Sequence, residues 1–113
     1  MASVADCGIC LEICLTSNVQ TGATASYAAH PLGAYVRAGV PTALCTDNRL
    51  MSDTTVTAEY VHAAAAQGLS FGDLCAIART GFEYAFLPDT ERHALLARFD
   101  AAIAPLVAGA VRP

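Results

Sequence analysis

Two short apolar segments separated by one helical segment constrain the fold of this chain more than any other feature. Residues 9–16 and 40–46 are apolar runs that lie between residues typical of turns. Runs of this length are typical of strands buried on both faces of a parallel sheet. The order strand, helix, strand therefore predicts a βαβ unit with two parallel strands, and an α/β fold class.

Helix-forming patterns fill most of the remaining sequence. Pro31 predicts a helix start, because the first turn of a helix leaves its N–H groups unpaired, and Gly39 predicts the left-handed end of that helix. Ser70 and Asp73 have the spacing of a capping box. Pro105 is expected to kink or end the last helix. The predicted helices cover residues 30–38, 55–67, 70–80 and 89–108, and residues 17–24 are predicted to form a loop.

Two parallel strands are too few to form a stable sheet by themselves. Each strand would leave one edge without a partner, and such edges promote aggregation. We therefore expect this sequence to be one part of a larger assembly, and we expect the isolated chain to be poorly soluble.

Charge and hydropathy exclude several classes of function. The net charge is −4, and the six Lys and Arg residues form no cluster, so nucleic-acid binding is not expected. No apolar run reaches the length of roughly 18–20 residues that a membrane helix requires. Residues 1–8 lack the basic and apolar segments of a secretory signal, so we expect a cytoplasmic location.

The five cysteines allow two interpretations. Cys7, Cys10 and Cys14 form a C-x2-C-x3-C pattern that suits a metal or cluster site, but no second cysteine pair or nearby histidine completes it. We favour reduced thiols in a packed core, because free cysteine behaves there as a small apolar residue. The same interpretation is applied to Cys45. The odd number argues against a complete disulfide framework.

Three polar residues lie at or near the two predicted strands. Asp47 and Asn48 come directly after the second strand, where α/β barrels and open α/β sheets place their active sites. Asp47 suits a metal ligand or a base, and the alternative is that the pair forms a turn that leaves the strand. Glu12 is predicted to be buried in the first strand, where it needs a partner. We favour a structural hydrogen bond for it over a role in support of the site.

A series of motifs between about residues 10 and 99 occurs in the order and spacing of one enzyme family. The series resembles the zinc-dependent adenosine deaminase family, specifically its C-terminal portion. The motifs are residues 11–23 (LEICLTSNVQTGA), His30-Pro31-Leu32, Ala38-Gly39-Val40, Thr46-Asp47-Asn48-Arg49, Glu59-Tyr60, Gly68-Leu69-Ser70 and residues 81–88 (GFEYAFLP).

This resemblance implies a fold, a reaction and two site residues. The family has a (β/α)8 barrel, so the two strands correspond to strands seven and eight, followed by the C-terminal helices. The reaction is the hydrolytic deamination of adenosine or deoxyadenosine to the inosine product in purine salvage. In the family pattern Asp47 is a ligand of the catalytic Zn²⁺, and Asn48 contacts the purine base.

The family pattern also requires residues that these 113 positions do not contain. The H-x-H zinc pair, the third zinc histidine, the catalytic glutamate and an orienting histidine come from strands without a counterpart here. No catalytic residue is therefore expected in this chain. The partners implied are a purine nucleoside and the N-terminal part of the barrel. His30, His62 and His93 are expected to be structural or solvated.

Two departures from the family pattern leave other functions open. Leu15 stands where the family usually has proline, and Cys45 stands where it usually has asparagine. The alternative to a deaminase is a catalytically inactive remnant that at most binds a partner. A cysteine-based metal-binding module is the least favoured interpretation.

Overall fold

The computed structural model describes residues 2–110, in which a two-stranded parallel sheet is packed among seven helices. The elements are α1 (Ala2–Asp6), β1 (Leu11–Ile13), α2 (Leu15–Gln20), α3 (Leu32–Arg37), β2 (Thr42–Leu44), α4 (Arg49–Ser52), α5 (Val56–Gln67), α6 (Phe71–Glu83) and α7 (Asp89–Ala110).

The two strands are parallel, as the sequence predicts, but each is shorter than expected. The strand predicted over 9–16 is observed at Leu11–Ile13, and the strand predicted over 40–46 is observed at Thr42–Leu44. Hydrogen bonds from Leu11 N to Pro41 O and from Cys45 N to Ile13 O, both 2.8 Å, bracket the ladder. Within the described residues each strand pairs only with the other, so each has one open edge.

The loop predicted over 17–24 is wrong in its first part, because α2 begins directly after β1. Leu15 is fully buried and starts this helix, and the N–H of Asn18 donates to the carbonyl of Cys14 at 2.8 Å to close its first turn. The helix forms despite its polar residues because their side chains bond to other elements instead of to the local backbone.

The first and last residues of α3 and α6 can be compared with the helix ends that the sequence predicts. The helix predicted over 30–38 spans only Leu32–Arg37, and Gly39 follows it with the predicted positive φ, 70°. Ser70 and Asp73 form the predicted capping box. The helix predicted over 70–80 begins at Phe71 and extends to Glu83. The helix predicted over 55–67 is observed at Val56–Gln67.

The last helix, predicted over 89–108, spans Asp89–Ala110 and continues through Pro105, where a kink or an end was expected. Before the proline, Phe99 packs on Phe82 with ring centroids 5.3 Å apart, and Arg79 pairs with Asp100 at 2.9 Å. These contacts hold α7 on α6. Although α7 has 22 residues, no helix within residues 2–110 is both long and apolar enough to cross a membrane.

The core lies between one face of the sheet and the helices. Leu15 and Leu32 are its largest fully buried apolar side chains. The position of Leu15 matters most for the site, because it fixes the chain where β1 ends and α2 begins. The buried cluster consists of Ile13, Leu15, Leu32, Leu44, Ala63, Leu69 and Ile77.

Candidate functional site

The carboxyl ends of β1 and β2 bring two polar segments together. Because the strands are parallel and in register, Cys14 to Asn18 after β1 lie beside Cys45 to Asn48 after β2. In α/β barrels this edge of the sheet carries the catalytic groups.

Asp47 is exposed, and its carboxylate is held by the segment that follows β1. The hydroxyl of Ser17 donates to Asp47 Oδ2 at 2.9 Å. The backbone of Asp47 has a φ of 55°, a left-handed conformation that non-glycine residues adopt uncommonly and that is enriched at functional sites. The carboxylate is therefore directed by a specific partner and a specific backbone conformation.

Asn48 is the N-cap of α4. Its Oδ1 accepts hydrogen bonds from the N–H groups of Leu50 and Met51, both at 3.2 Å. Asn48 therefore forms the turn that the sequence allowed as the alternative to a metal or catalytic role of Asp47 and Asn48. The Asp47 carboxylate instead bonds to Ser17. Since capping engages the amide oxygen, the amide nitrogen is the group of Asn48 that is left to bind a ligand.

Cys14 adjoins Asp47 and is a poor nucleophile. Burial, followed by the nearby Cys45 and Asp47, raises the pKa of this thiol to about 11, even though a hydrogen bond from the backbone of Asp47 partly opposes the increase. Because the thiolate is the reactive and metal-binding form, Cys14 at neutral pH is a neutral packing group.

We predict slow alkylation of Cys14. With a pKa of about 11, roughly one Cys14 side chain in a thousand is a thiolate at about pH 8. Mass spectrometry during iodoacetamide treatment should show the exposed Cys7 labelled well before Cys14. Equal labelling rates would contradict this environment for Cys14.

The other sequence candidates on the sheet do not form a metal site. Glu12, predicted to be buried, is exposed, because its side chain points away from the face that packs on the helices. Cys10 and Cys45 are half-buried, and burial raises the pKa of both thiols. Among residues 2–110 no three His, Cys, Asp or Glu side chains are arranged to hold a metal ion.

Two of the three histidines contact residues other than Asp47, and the third is exposed. His30 is buried, its Nε2 lies 3.1 Å from Asn18 Oδ1, and its Nδ1 accepts the N–H of Leu32 at 3.0 Å. His62 stacks on Tyr27 with ring centroids 4.0 Å apart, and His93 is exposed on α7.

His30 should make the stability of the fold depend on pH. Burial lowers its pKa, so the native state favours neutral imidazole and the unfolded state binds protons more readily. The contribution of His30 to the free energy of unfolding is complete above its pKa in the unfolded state, about 6.5, and is lost as pH falls through its lower pKa in the native state. The urea midpoint of wild type should therefore fall between about pH 7 and pH 5.

The variant His30→Asn is the matched control for this pH dependence. An asparagine oxygen can replace Nδ1 as the acceptor for the Leu32 N–H, but it does not titrate. We expect a smaller loss of stability on acidification for this variant. An equal loss in both proteins would assign the pH dependence to other groups.

The sequence did not reveal the buried carboxylate beneath this edge. Glu59 on α5 is only 1% exposed, and it accepts hydrogen bonds from the segment after β1 and from Thr54. Its sequence signal is weak. Glu59 lies four positions before the buried Ala63, on the same helix face, where an apolar residue is normally expected.

Sequence comparison finds the same family as the motifs. The family model for adenosine deaminase matches residues 1–102. An adenosine deaminase from Mycobacterium sp. (strain JLS) is 42% identical over 95 residues, which are 84% of this chain and 26% of that protein. Adenosine deaminase 1 from Streptomyces coelicolor is 41% identical over 93 residues, covering 82% of this chain and 24% of the relative. The chain spans about a quarter of the length of these curated relatives.

Solved structures show the same relationship at the level of the fold. The N6-methyl-AMP deaminase from Arabidopsis thaliana superposes with a TM-score of 0.82 at 33% identity, covering 89% of this chain and 30% of that one. An adenine deaminase from Arthrobacter aurescens superposes with a TM-score of 0.84 at 18% identity, covering 91% of this chain and 32% of that one, and supports the fold alone.

These similarities confirm the predicted fold class, because the matched structures are deaminases with a (β/α)8 barrel and the chain corresponds to part of it. The resemblance to the adenosine deaminase family, inferred from the sequence motifs, is confirmed by the family model, which covers residues 1–102 of 113. The chain belongs to the adenosine deaminase family.

Proposed function

We propose that this chain supplies one zinc ligand and one substrate contact to the active site of a purine deaminase. The observation that carries the proposal is the Asp47 carboxylate, exposed at the carboxyl end of β2 and held by Ser17 at 2.9 Å. The reaction would be hydrolytic deamination, in which water and an adenosine-type nucleoside give the inosine-type product and ammonia.

The donor chemistry of Asp47 fits one position of a zinc site. Carboxylate oxygen is a normal zinc ligand, and catalytic zinc uses about three protein ligands. Because the described residues offer no group of three, the other ligands would come from the rest of the barrel. A zinc ion held there would activate water for attack near neutral pH. The role of Asp47 is to hold a carboxylate oxygen in a fixed direction at this edge.

Asn48 would contact the substrate through its amide nitrogen. Its oxygen is engaged by two N–H groups at the start of α4, so the group offered to a ligand is a hydrogen-bond donor. A donor suits an acceptor nitrogen of the purine ring. This geometry also holds the side chain still, because the cap fixes the amide plane.

The relatives indicate the class of substrate. Their names specify deaminases of adenosine and N6-methyl-AMP, and Arabidopsis relatives were solved in complex with IMP and with GMP. We propose a purine nucleoside or nucleotide as the substrate, with a role in purine salvage in the cytoplasm. The groups that protonate the ring and orient the attacking water would come from other strands of the barrel.

The activity should require the rest of the barrel. The joined barrel is defined here as Streptomyces coelicolor adenosine deaminase 1 in which residues 1–113 of this chain replace the segment that they match. We expect the joined barrel to bind zinc and to deaminate adenosine, as measured by the loss of adenosine absorbance. The 113-residue chain alone should do neither, because residues 2–110 offer no group of three metal ligands.

Two results would contradict this proposal. Turnover or stoichiometric zinc in the isolated chain would show that the site lies within these residues. A folded joined barrel without zinc or activity would instead favour the inactive, partner-binding remnant.

A further inference from the structure

Glu59 is a buried carboxylate that has no cationic partner among residues 2–110. Its side chain is 1% exposed, and the ion pairs found within residues 2–110 do not include it. Burial of an unpaired carboxylate is costly unless hydrogen bonds replace its hydration. An apolar residue at this position would avoid the free-energy cost of burying a carboxylate, so the contacts of Glu59 indicate what it contributes.

These contacts converge on two segments of the candidate site. The N–H of Thr16 donates to Glu59 Oε2 at 3.2 Å, and the hydroxyl of Thr54 donates to Oε1 at 2.8 Å. The hydroxyl of Thr16 donates to Thr54 Oγ1 at 3.4 Å, and the hydroxyl of Tyr27 donates to Thr16 Oγ1 at 3.4 Å. Because Glu59 accepts a hydrogen bond from the Thr54 hydroxyl, each hydroxyl of this series donates to the next one in the direction of Glu59.

The segment that Glu59 holds is the first turn of α2, which also holds Asp47. Leu15 anchors this turn in the core, and Thr16 is fixed by Glu59. The next residue, Ser17, donates to Asp47 Oδ2 at 2.9 Å. The position of the Ser17 hydroxyl therefore depends on the residue directly before it.

The second segment that Glu59 holds follows α4, the helix capped by Asn48. Thr54 bonds to Glu59 through its hydroxyl, and its own N–H donates to the carbonyl of Arg49 at 3.4 Å. Gln20 of α2 also donates to the carbonyl of Ser52 at 2.9 Å, which ties the two segments together. The Glu59 carboxylate thus links the segment after β1, whose Ser17 bonds to Asp47, with the segment after α4, the helix that Asn48 caps.

We infer that Glu59 is a positioning residue for the Asp47 carboxylate. It fixes the backbone of Thr16, and through it the Ser17 hydroxyl that directs Asp47. The inference rests on the proposed function, because it concerns the carboxylate that would bind zinc. Groups that orient metal ligands in this way commonly contribute about 10–100-fold in metal affinity.

The test compares two substitutions of Glu59 in the joined barrel. Glu59→Leu keeps the size of the side chain but leaves the Thr16 N–H without an acceptor. Glu59→Gln keeps an acceptor for that N–H, while the Thr54 hydroxyl can rotate to accept from the amide. Chelator competition should show zinc binding about 10–100-fold weaker in Glu59→Leu and within about threefold of wild type in Glu59→Gln.

A spectroscopic measurement separates positioning from folding. The visible absorption of the Co²⁺-loaded protein reports the geometry of the ligands, which a purely structural role of Glu59 would leave unchanged. We expect a changed spectrum in Glu59→Leu and a spectrum like that of wild type in Glu59→Gln. The matched control is Glu91→Leu, which removes an exposed carboxylate of α7 and should leave affinity and spectrum unchanged.

The inference is overturned if folded Glu59→Leu binds zinc as tightly as wild type, or if Glu59→Gln weakens binding as much as Glu59→Leu. If Glu59→Leu does not fold, Ser17→Ala and Ser17→Thr test the last step of the same path, since only threonine retains a hydroxyl that can donate to Asp47. Equal zinc affinity in those two variants would likewise overturn the inference. Unchanged zinc affinity in Asp47→Ala would contradict the proposed function instead.

Discussion

Replacing Asp47 by alanine should lower the deaminase activity of the joined barrel by more than the roughly 10–100-fold that the loss of an orienting group costs, because the proposed zinc site would lose a ligand. The carboxylate lies at the carboxyl end of β2, where Ser17 directs it. Adenosine turnover, followed by absorbance at saturating substrate, measures the loss.

Asp53→Ala is the matched control for this substitution. Asp53 is also an exposed aspartate with a left-handed backbone, with a φ of 47° compared with 55° at Asp47. Alanine therefore introduces a similar backbone strain at both positions, but only Asp47 is proposed to bind metal. Equal activity in the two variants would remove Asp47 from the site.

Replacing Leu15 by alanine should destabilise the fold by about 2–5 kcal/mol. Leu15 is fully buried and belongs to the main apolar cluster. Its truncation would leave a cavity at the junction of β1 and α2, directly beneath the turn that carries Ser17. Urea titration of the joined barrel measures the free energy of unfolding.

Leu50→Ala makes the same chemical change at a position that is 93% exposed. We expect the free energy of unfolding to change by no more than about 0.5 kcal/mol in this control. If Leu15→Ala were as mild as Leu50→Ala, the junction of β1 and α2 would not be part of the core.

The features that local sequence determines were predictable. Gly39 and the Ser70–Asp73 capping box depend on backbone conformation and on short-range hydrogen bonds, and both are observed. The parallel strand pair joins residues far apart in sequence, but it was predictable because strand, helix and strand follow one another in the order of a βαβ unit. The family was also predictable, because the motifs around Asp47 and Asn48 retain the order that the family model matches.

The features that tertiary contacts determine were not predictable. Residues 17–20 read as a loop because Ser17 and Asn18 favour turns, but their side chains bond to Asp47 and His30, and the helix is retained. Glu12 was expected to be buried, yet its side chain is exposed on the face of β1 opposite the buried Ile13. Glu59 gave only a weak pattern signal, because its partners Thr16 and Thr54 lie 43 and 5 positions away.

The zinc content of the joined barrel, measured by mass spectrometry of metals after exhaustive dialysis, shows whether Asp47 is a metal ligand. We expect about one zinc ion per wild-type molecule and per Asp53→Ala molecule, and a large loss of zinc in folded Asp47→Ala. Full zinc occupancy in Asp47→Ala, with unchanged affinity in chelator competition, would contradict the claim that this chain contributes a metal ligand.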